Sequence, residues 1–177
     1  MDDLRRLSRA EAGQLDLSMA PMSPTEAVRL AIGGMLPLFD EKGVELNSAL
    51  SENLPSVLAD VDRVVQVLSN LLSNALRHTP SGGRVVVKAE ASGNEVTFEV
   101  TDTGTGIAPE HLERVFERFY RVDKSRSQGE AHGGSGVGLA ISRALVEAMG
   151  GRIGVKSLGL GQGASFVFTL PVSHPKS

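Results

Sequence analysis

The sequence predicts an α+β fold in which helices pack on one face of a mixed, mostly antiparallel sheet. Two pairs of runs with alternating apolar and polar residues, 84–91 with 95–101 and 152–157 with 164–170, are each separated by a glycine-containing turn. Such pairs form hairpins, and a hairpin makes its two strands antiparallel neighbours. Segments whose apolar residues recur with a helical period lie between these runs, so helices and strands interleave along the chain.

The first part of the chain is predicted from its prolines and capping residues. Residues 2–16 repeat leucine and alanine at three-residue spacing, which predicts the end of a longer helix, and the two prolines within 19–24 predict a linker. Ser23 is followed three residues later by Glu26, a capping box that predicts a helix running to about Lys42. The remaining short elements predicted here are strands at 44–50 and 56–59 and, further on, at most a short helix at 109–113.

The segment Val61–His78 carries the most informative pattern. Its apolar residues recur every 3.6 residues, as in an amphipathic helix. Asn70, Asn74 and Arg77, at offsets of four and seven, then align along the opposite face. Asparagine is a poor helix former, so this pair is placed there at a cost. Two amide oxygens and a guanidinium suit a hydrated metal ion bridged to phosphate; an ordinary solvent-exposed face is the alternative.

Asp102 follows directly after the predicted strand 95–101 and begins the sequence Asp-Thr-Gly-Thr-Gly. The glycines, Gly104 and Gly106, allow a sharp turn and a close approach of the backbone to a ligand. A carboxylate at a strand end that faces a pocket accepts hydrogen bonds, and the exocyclic amine of adenine is a suitable donor. Taken alone, the motif is also explained by an ordinary loop turn.

A second glycine-rich sequence, Gly-Gly-Ser-Gly-Val-Gly-Leu at 133–139, opens a helix that Ser135 is predicted to cap and that continues to Met149. Free N–H groups and the dipole at a helix start favour an anion. No strand immediately precedes these glycines, as a Rossmann motif requires, and no Gly-Lys-Ser/Thr follows, as in a Walker loop. They therefore predict a phosphate cradle of another type, with a mobile linker as the alternative.

Two shorter motifs lie on either side of that sequence. The aromatic and basic residues of 116–121 predict a lid that folds over the core, from which Arg118 or Arg121 reaches phosphate. The sequence Gly-Gln-Gly-Ala-Ser-Phe at 161–166 predicts a turn into the last strand and is, by itself, ordinary hairpin chemistry.

The composition limits the classes of function. The chain has 177 residues, of which 41% are apolar, enough for one domain with a real core. Its net charge is −3 and it has no basic run, which argues against a nucleic-acid partner. Because the sequence contains no cysteine, it has neither a disulfide framework nor a thiolate zinc site. No apolar run in it approaches the ~18 residues of a membrane span.

In their order and spacing, these motifs resemble the ATP-binding catalytic domain of bacterial sensor histidine kinases. The resemblance covers about residues 24–172. It implies a two-layer α/β sandwich of the Bergerat type, the fold shared with gyrase and MutL ATPase domains. It also implies a division of the chain into the end of a dimerisation-domain helix plus linker at 1–20, the ATP-binding domain at 21–173 and a tail at 174–177.

The resemblance implies a role for each motif residue. Asn74 is expected to be the principal Mg²⁺ ligand with Asn70 in support, and Asp102 is expected to hold the adenine amino group. The residues expected to serve catalysis are Asn70, Asn74, Arg77, Arg118 and Arg121. The other residues expected to contact ATP are His78, Gly104, Gly106, Ile107, Tyr120, Gly134, Ser135, Gly136, Val137, Gly138, Leu139 and Ser165.

One position within the resemblance points to the type of reaction. The gyrase and MutL relatives carry a glutamate general base at the position of Asn70, and an amide cannot accept that proton. Attack by water is therefore expected to be slow, and the γ-phosphoryl group is kept for a better-placed nucleophile. In the family this nucleophile is a histidine of the dimerisation domain. The chain's own histidines lack its sequence context: His78, His111, His132 and His174.

The expected function is therefore Mg·ATP-dependent phosphoryl transfer to a histidine on a dimerisation domain absent from this chain, in two-component signalling. The expected partners are that domain, a cognate response regulator and a second copy of the full-length protein. The full-length protein is expected to be anchored in the inner membrane, with this domain in the cytoplasm. The alternatives are a nucleotide-sensing module without transfer, a serine-directed kinase of the anti-sigma type, and a mechanical ATPase clamp, which Asn70 disfavours.

Overall fold

The computed structural model describes residues 16–117 and 138–174, and within them three α-helices pack on one face of a five-stranded sheet. The helices are α1 Pro24–Lys42, α2 Val61–His78 and α3 Gly138–Ala148. The strands are β1 Ala20–Met22, β2 Glu45–Leu50, β3 Val57–Ala59, β4 Arg84–Ser92, β5 Glu95–Asp102, β6 Ile153–Lys156 and β7 Ala164–Pro171. A single 3₁₀ turn, Pro109–His111, follows β5.

The main sheet is mixed and mostly antiparallel, as the sequence predicts. Its strand order is β2-β4-β5-β7-β6, and only the β2–β4 pair is parallel within this sheet. Parallel neighbours need a long crossover connection, which here contains β3 and α2. The β5–β7 register places Asp102 opposite Ala164 and Thr101 opposite Ser165. The ends of these two central strands therefore lie side by side.

The helices begin and end where capping residues require it. The Ser23 hydroxyl accepts the Glu26 N–H at 3.3 Å at the start of α1, and the helix ends at Gly43, whose φ of 80° is in the left-handed region. At the start of α2, Asp60 accepts the N–H groups of Asp62 and Arg63. The predicted bounds of both helices are thus confirmed.

The core lies between the helices and the inner face of the sheet. Helix α2 is the central helix of that layer, since it packs against both α1 and α3. The rings of Phe98 and Phe168 stack across β5 and β7 with their centroids 4.7 Å apart. The buried residues of β5 alternate along the strand and are Val96, Phe98, Val100 and Asp102. Asp102 therefore continues the inward-facing row of β5 and points toward the helix layer.

The structure differs from the sequence prediction at the entry to the domain. The predicted linker is wrong at Ala20–Met22, which is strand β1 and pairs antiparallel with β3 in a separate two-stranded sheet. Pro21 is tolerated there because β1 is an edge strand, where a missing N–H leaves no ladder bond broken. Just before it, the Ser18 N–H donates to Asp60 at 2.9 Å, so the entering chain is fixed to the start of α2.

Some predicted elements lie outside the described residues. These are the helix end predicted for residues 2–16, apart from its last residue, and most of the lid, which lies within 118–137. In the described part, α3 begins at Gly138 and continues to Ala148, in agreement with most of the predicted helix, whose first residues lie outside the described ones. No helix of the described part combines the length and the hydropathy needed to cross a membrane.

Candidate functional site

The end of α2 and the loop that follows β5 are in direct contact. The Thr105 N–H donates to the His78 carbonyl at 3.0 Å. A Cβ added to Gly104 would lie 2.3 Å from that same carbonyl oxygen, so only glycine fits at this position. The Asn-bearing helix and the Asp-Thr-Gly-Thr-Gly loop, which are separate in the sequence, therefore form adjoining walls of one site.

Asp102 is buried, with 5% of its surface exposed, and its two carboxylate oxygens have different environments. Oδ1 accepts the N–H of Gly104 at 2.9 Å and that of Ala164 at 3.2 Å. Oδ2 has no hydrogen-bond partner within residues 16–117 and 138–174. Burial raises the pKa of Asp102, and the two main-chain hydrogen bonds oppose that rise. The fixed carboxylate thus keeps one free acceptor for a ligand.

The loop after Asp102 is held against the turn that precedes β7. The Gly161 N–H donates to the Thr105 carbonyl at 2.7 Å, and the Gly163 N–H donates to the Gly104 carbonyl at 3.2 Å. Gly106 has a φ of 72°, and a Cβ there would lie 2.1 Å from the Gly159 carbonyl oxygen. Glycine is required at this loop because the two segments approach too closely for any side chain, and the predicted close approach of a ligand stays a prediction.

Asn70 links α2 to the first residue of α3. Its Nδ2 donates at 3.3 Å both to the Gly138 carbonyl and to the hydroxyl of Ser142, and that hydroxyl in turn donates to Gly138 at 3.0 Å. A carbonyl oxygen can only accept, so the amide nitrogen must face Gly138. The Asn70 side-chain oxygen is thereby left on the other side, with no partner among the residues that the structure describes.

Asn74 lies one turn further along α2 and is 8% exposed. Its side-chain amide makes no hydrogen bond to any of the described residues. No fully buried side-chain nitrogen or oxygen of the described residues lacks a partner, so the polar atoms of this amide remain accessible from outside. Its oxygen is therefore suited to a ligand that supplies the missing interaction, and a hard cation such as Mg²⁺ prefers oxygen ligands.

The other predicted residues are distributed around these walls. Arg77 is exposed and His78 is half-buried, both in the last turn of α2. Ile107 and Leu139 are partly buried and pack against the core. The predicted residues Arg118, Tyr120, Arg121, Gly134, Ser135, Gly136 and Val137 lie outside the described residues.

Ser165 is not brought together with Asp102. The hydroxyl groups of Ser165 and Thr101, its partner across β5 and β7, lie 2.9 Å apart. Because side chains alternate along a strand, this pair lies on the opposite face of the sheet from the Asp102 carboxylate. The neighbouring residue Ala164 approaches Asp102 instead, through its main-chain N–H.

Two residues of the site were not predicted from the sequence. Ser142 is fully buried and completes the link between Asn70 and Gly138. Ser157 accepts the Ile107 N–H at 3.0 Å, from a residue fifty positions away. The only sequence signal was local: Ser142 lies seven residues after the predicted cap Ser135, and Ser157 ends a predicted strand before a glycine-rich turn.

The fold and the site together define a class of protein. A buried carboxylate with one free oxygen can accept an N–H donor of a ligand. Beside it, a partly buried amide without a protein partner suits the cation that accompanies a triphosphate. This combination, on a two-layer α+β sandwich with a mixed sheet, is that of an ATP-binding domain.

Comparison with known proteins identifies the family. A profile of the family described as "Histidine kinase-, DNA gyrase B-, and HSP90-like ATPase" matches residues 59–174. The chain therefore belongs to this family of ATPase domains. It is 37% identical over 174 residues to the signal transduction histidine-protein kinase BaeS of Escherichia coli (strain K12), covering 98% of this chain and 36% of BaeS. It is also 46% identical over 112 residues to the sensor protein SrrB of Staphylococcus aureus, covering 63% of this chain and 19% of SrrB.

Solved structures agree with this assignment. The full-length ShkA structure in complex with AMPPNP has a TM-score of 0.86 and 38% sequence identity, and the match covers 99% of this chain and 36% of ShkA. The mycobacterial sensor histidine kinase MprB has a TM-score of 0.73 and 26% identity, covering 89% of this chain and 99% of that structure. The chain thus spans about a third or less of the length of BaeS, SrrB and ShkA, and most of the MprB structure.

Proposed function

We propose that this chain binds Mg²⁺·ATP and transfers the γ-phosphoryl group to a histidine on a dimerisation domain elsewhere in the full-length protein. The single observation that carries the proposal is the asymmetry of Asp102. Its Oδ1 is occupied by two main-chain N–H groups, and its Oδ2 is free to accept from the amino group of adenine. Guanine presents a carbonyl at the same place, and two acceptors repel each other, so the arrangement favours ATP over GTP.

The phosphate end of the nucleotide is assigned to α2 and the start of α3. Asn74 and, through its free oxygen, Asn70 would hold Mg²⁺, and Arg77, three residues after Asn74 on the same helix, would contact phosphate. The bound cation would neutralise charge that develops on the phosphate oxygens. The residues of this chain would orient the phosphates. Asn70 fixes the position of Gly138, which is the last residue of the expected phosphate-binding segment 134–138.

Transfer is favoured over hydrolysis by the chemistry of Asn70. Activation of water requires a group that accepts a proton, and a carboxamide is not such a group. The Asn70 nitrogen is in addition engaged with Gly138 and Ser142. The bound triphosphate is therefore protected from water attack until a nucleophile on another domain reaches it. Phosphoryl transfer then depends mainly on position and on charge neutralisation.

The wider assignment rests on the relatives' names and on the resemblance of the motifs. BaeS is named a signal transduction histidine-protein kinase, and ShkA was solved with AMPPNP, an ATP analogue. By similarity, we infer that residues 21–173 are the catalytic domain, that 1–20 lead from a dimerisation domain, and that 174–177 are a tail. We likewise assign a response regulator as the downstream partner and a membrane-anchored homodimer, with this domain in the cytoplasm, as the full-length protein.

The proposal is tested by measuring phosphoryl transfer from ATP to a separate acceptor domain. The chain is incubated with γ-labelled ATP, Mg²⁺ and a separately produced dimerisation domain of the same full-length protein. We expect acid-labile label on the acceptor, as phosphohistidine requires, and at least a hundredfold less with Asn74→Ala, the range by which loss of one charge-stabilising group reduces phosphoryl or acyl transfer, about 10²–10³. Ser23→Ala is the matched control, because it removes a hydroxyl–backbone bond at α1.

Each alternative outcome indicates a different function for this chain. Nucleotide binding without label on the acceptor supports the nucleotide-sensing module. Acid-stable label on a protein substrate supports the serine-directed kinase. Absence of calorimetric heat with millimolar Mg²⁺·ATP overturns the proposal altogether, and undiminished transfer by Asn74→Ala excludes the metal-ligand role of that residue.

A further inference from the structure

We propose that Ser157 is a positioning residue that determines how strongly the site prefers adenine over guanine. This inference rests on the proposed function, because it concerns the same pocket. Ser157 lies directly after β6 and outside every motif discussed above. Its proposed role is to hold the loop after Asp102 in the conformation that disfavours guanine.

The Ser157 hydroxyl uses its full hydrogen-bonding capacity. It accepts the N–H of Ile107 at 3.0 Å and that of Gly159 at 3.2 Å, and it donates to the carbonyl of Gly163 at 2.7 Å. A serine hydroxyl has one donor and two acceptor sites, so all three are engaged. Such complete use is expected of a group that fixes geometry, and it leaves no site of this hydroxyl for the nucleotide itself.

These three bonds join two segments that build the adenine pocket. Ile107 ends the loop that begins at Asp102, while Gly159 and Gly163 bound the turn that leads into β7. Main-chain bonds also connect the segments, from Gly161 to Thr105 and from Gly163 to Gly104. Ser157 therefore adds a side-chain link to a backbone contact, at the far end of the loop from Asp102.

A displacement of the turn between Gly159 and Gly163 would directly change the surroundings of the Asp102 carboxylate. A Cβ on Gly163 would lie 2.1 Å from the Asp102 carbonyl oxygen, so the two backbones touch. The next residue, Ala164, supplies one of the two N–H groups that occupy Oδ1 of Asp102. If the turn moves, Oδ1 keeps the Gly104 donor but loses that of Ala164, and the carboxylate can rotate more easily. A carboxylate that can rotate away from the guanine carbonyl no longer rejects it.

The consequence is a loss of selectivity that exceeds the loss of affinity. A pocket discriminates by holding a repulsive group in place as well as an attractive one. Ser157→Ala should therefore raise the Kd for ATP and lower the Kd for GTP. We expect the ratio of the Kd for GTP to the Kd for ATP to fall by about fivefold, the factor that corresponds to about one net hydrogen bond.

The experiment is titration calorimetry of the 177-residue chain with Mg²⁺·ATP and Mg²⁺·GTP, together with thermal unfolding of each variant. Ser157→Thr keeps the hydroxyl and should retain the preference for ATP. Ser157→Cys replaces it with a weaker hydrogen-bonding group and should show an intermediate preference. Ser23→Ala, which removes a serine cap remote from the site, should lower the unfolding temperature without changing the ratio.

The inference is overturned if Ser157→Ala, or the Cys variant where the Ala variant does not fold, keeps the full preference for ATP. It is also overturned if both dissociation constants rise by the same factor, since that is what a purely structural serine would cause. The proposed function fails in a different way, namely if the unaltered chain binds neither nucleotide or shows no preference. The two failures are therefore distinguishable in one set of titrations.

Discussion

Replacing Asp102 by asparagine tests the adenine assignment because the structure dictates how the new amide must lie. The N–H groups of Gly104 and Ala164 both point at Oδ1, so the carbonyl oxygen of the asparagine has to occupy that place. The amide nitrogen then takes the place of Oδ2 and presents donors where adenine also presents a donor. The substitution keeps the local fold and reverses the polarity of the recognition group.

The size of the effect follows from the bond that is lost. A hydrogen bond to a charged group contributes about 1.5–3 kcal/mol, so the affinity for ATP should fall by roughly 10-fold to 150-fold. The guanine carbonyl would meet a donor in place of an acceptor, so the affinity for GTP should rise. Titration of Asp102→Asn with the Mg²⁺ complexes of AMPPNP and of the corresponding GTP analogue gives both constants. A variant that still prefers the adenine nucleotide by the original factor would refute the reasoning.

The same substitution has a consequence for the nucleotide-free chain. Burial raises the pKa of Asp102, so the folded state holds this proton to a higher pH than the unfolded state does. The stability contributed by the protonated group is therefore present at low pH and is lost as the pH rises through the folded pKa. Asp102→Asn removes this dependence. We expect the unaltered chain to gain stability relative to the variant on acidification from about pH 7 to about pH 4, and a constant difference in unfolding free energy would contradict this.

Two further substitutions test the connections of α2. Asn70→Glu supplies a group that can accept a proton from water, so we expect faster ATP hydrolysis. It also loses the donor to Gly138, so we expect a lower unfolding temperature. Phosphate release no faster than that of the unaltered chain would refute the role assigned to residue 70. Asp60→Ala removes the cap of α2 and the bond from Ser18, and should lower the free energy of unfolding in urea by about 1–2 kcal/mol. Asp60→Asn, which keeps an acceptor oxygen, should cost less, and equal costs would argue against capping as the cause.

The features that the sequence predicts well are those determined by local patterns. The apolar period of Val61–His78 predicts both ends of α2, and the capping box at Ser23 predicts the start of α1. The alternation of β5 continues to its last residue, so Asp102 belongs to the inward-facing row of the strand, and its contact with a nucleotide stays a prediction. These predictions need only the neighbouring residues in the chain, whose preferences are not overridden by tertiary contacts here.

The features that the sequence does not predict depend on contacts between distant segments. Strand β1 exists because it pairs with β3, and two prolines in the same stretch gave the opposite local signal. Ser165 and Ala164 differ by one position, and only the β5–β7 register shows which of the two meets Asp102. The roles of Ser142 and Ser157 likewise depend on partners in other elements, so spacing within the sequence carries no information about them.

The two ends of the site are supported by different parts of the fold. The base end is fixed by β5, β7 and the turn that Ser157 holds, whereas the phosphate end is fixed by α2 and by the link from Asn70 to α3. These two supports meet where Thr105 donates to the His78 carbonyl, a main-chain bond that side-chain substitution leaves in place. Changes at Ser157 should therefore alter base preference at constant Mg²⁺ dependence, and changes at Asn70 should do the reverse. In the proposed function, such independence would allow one scaffold to keep its choice of nucleotide while residue 70 sets whether the phosphoryl group passes to water or to a protein.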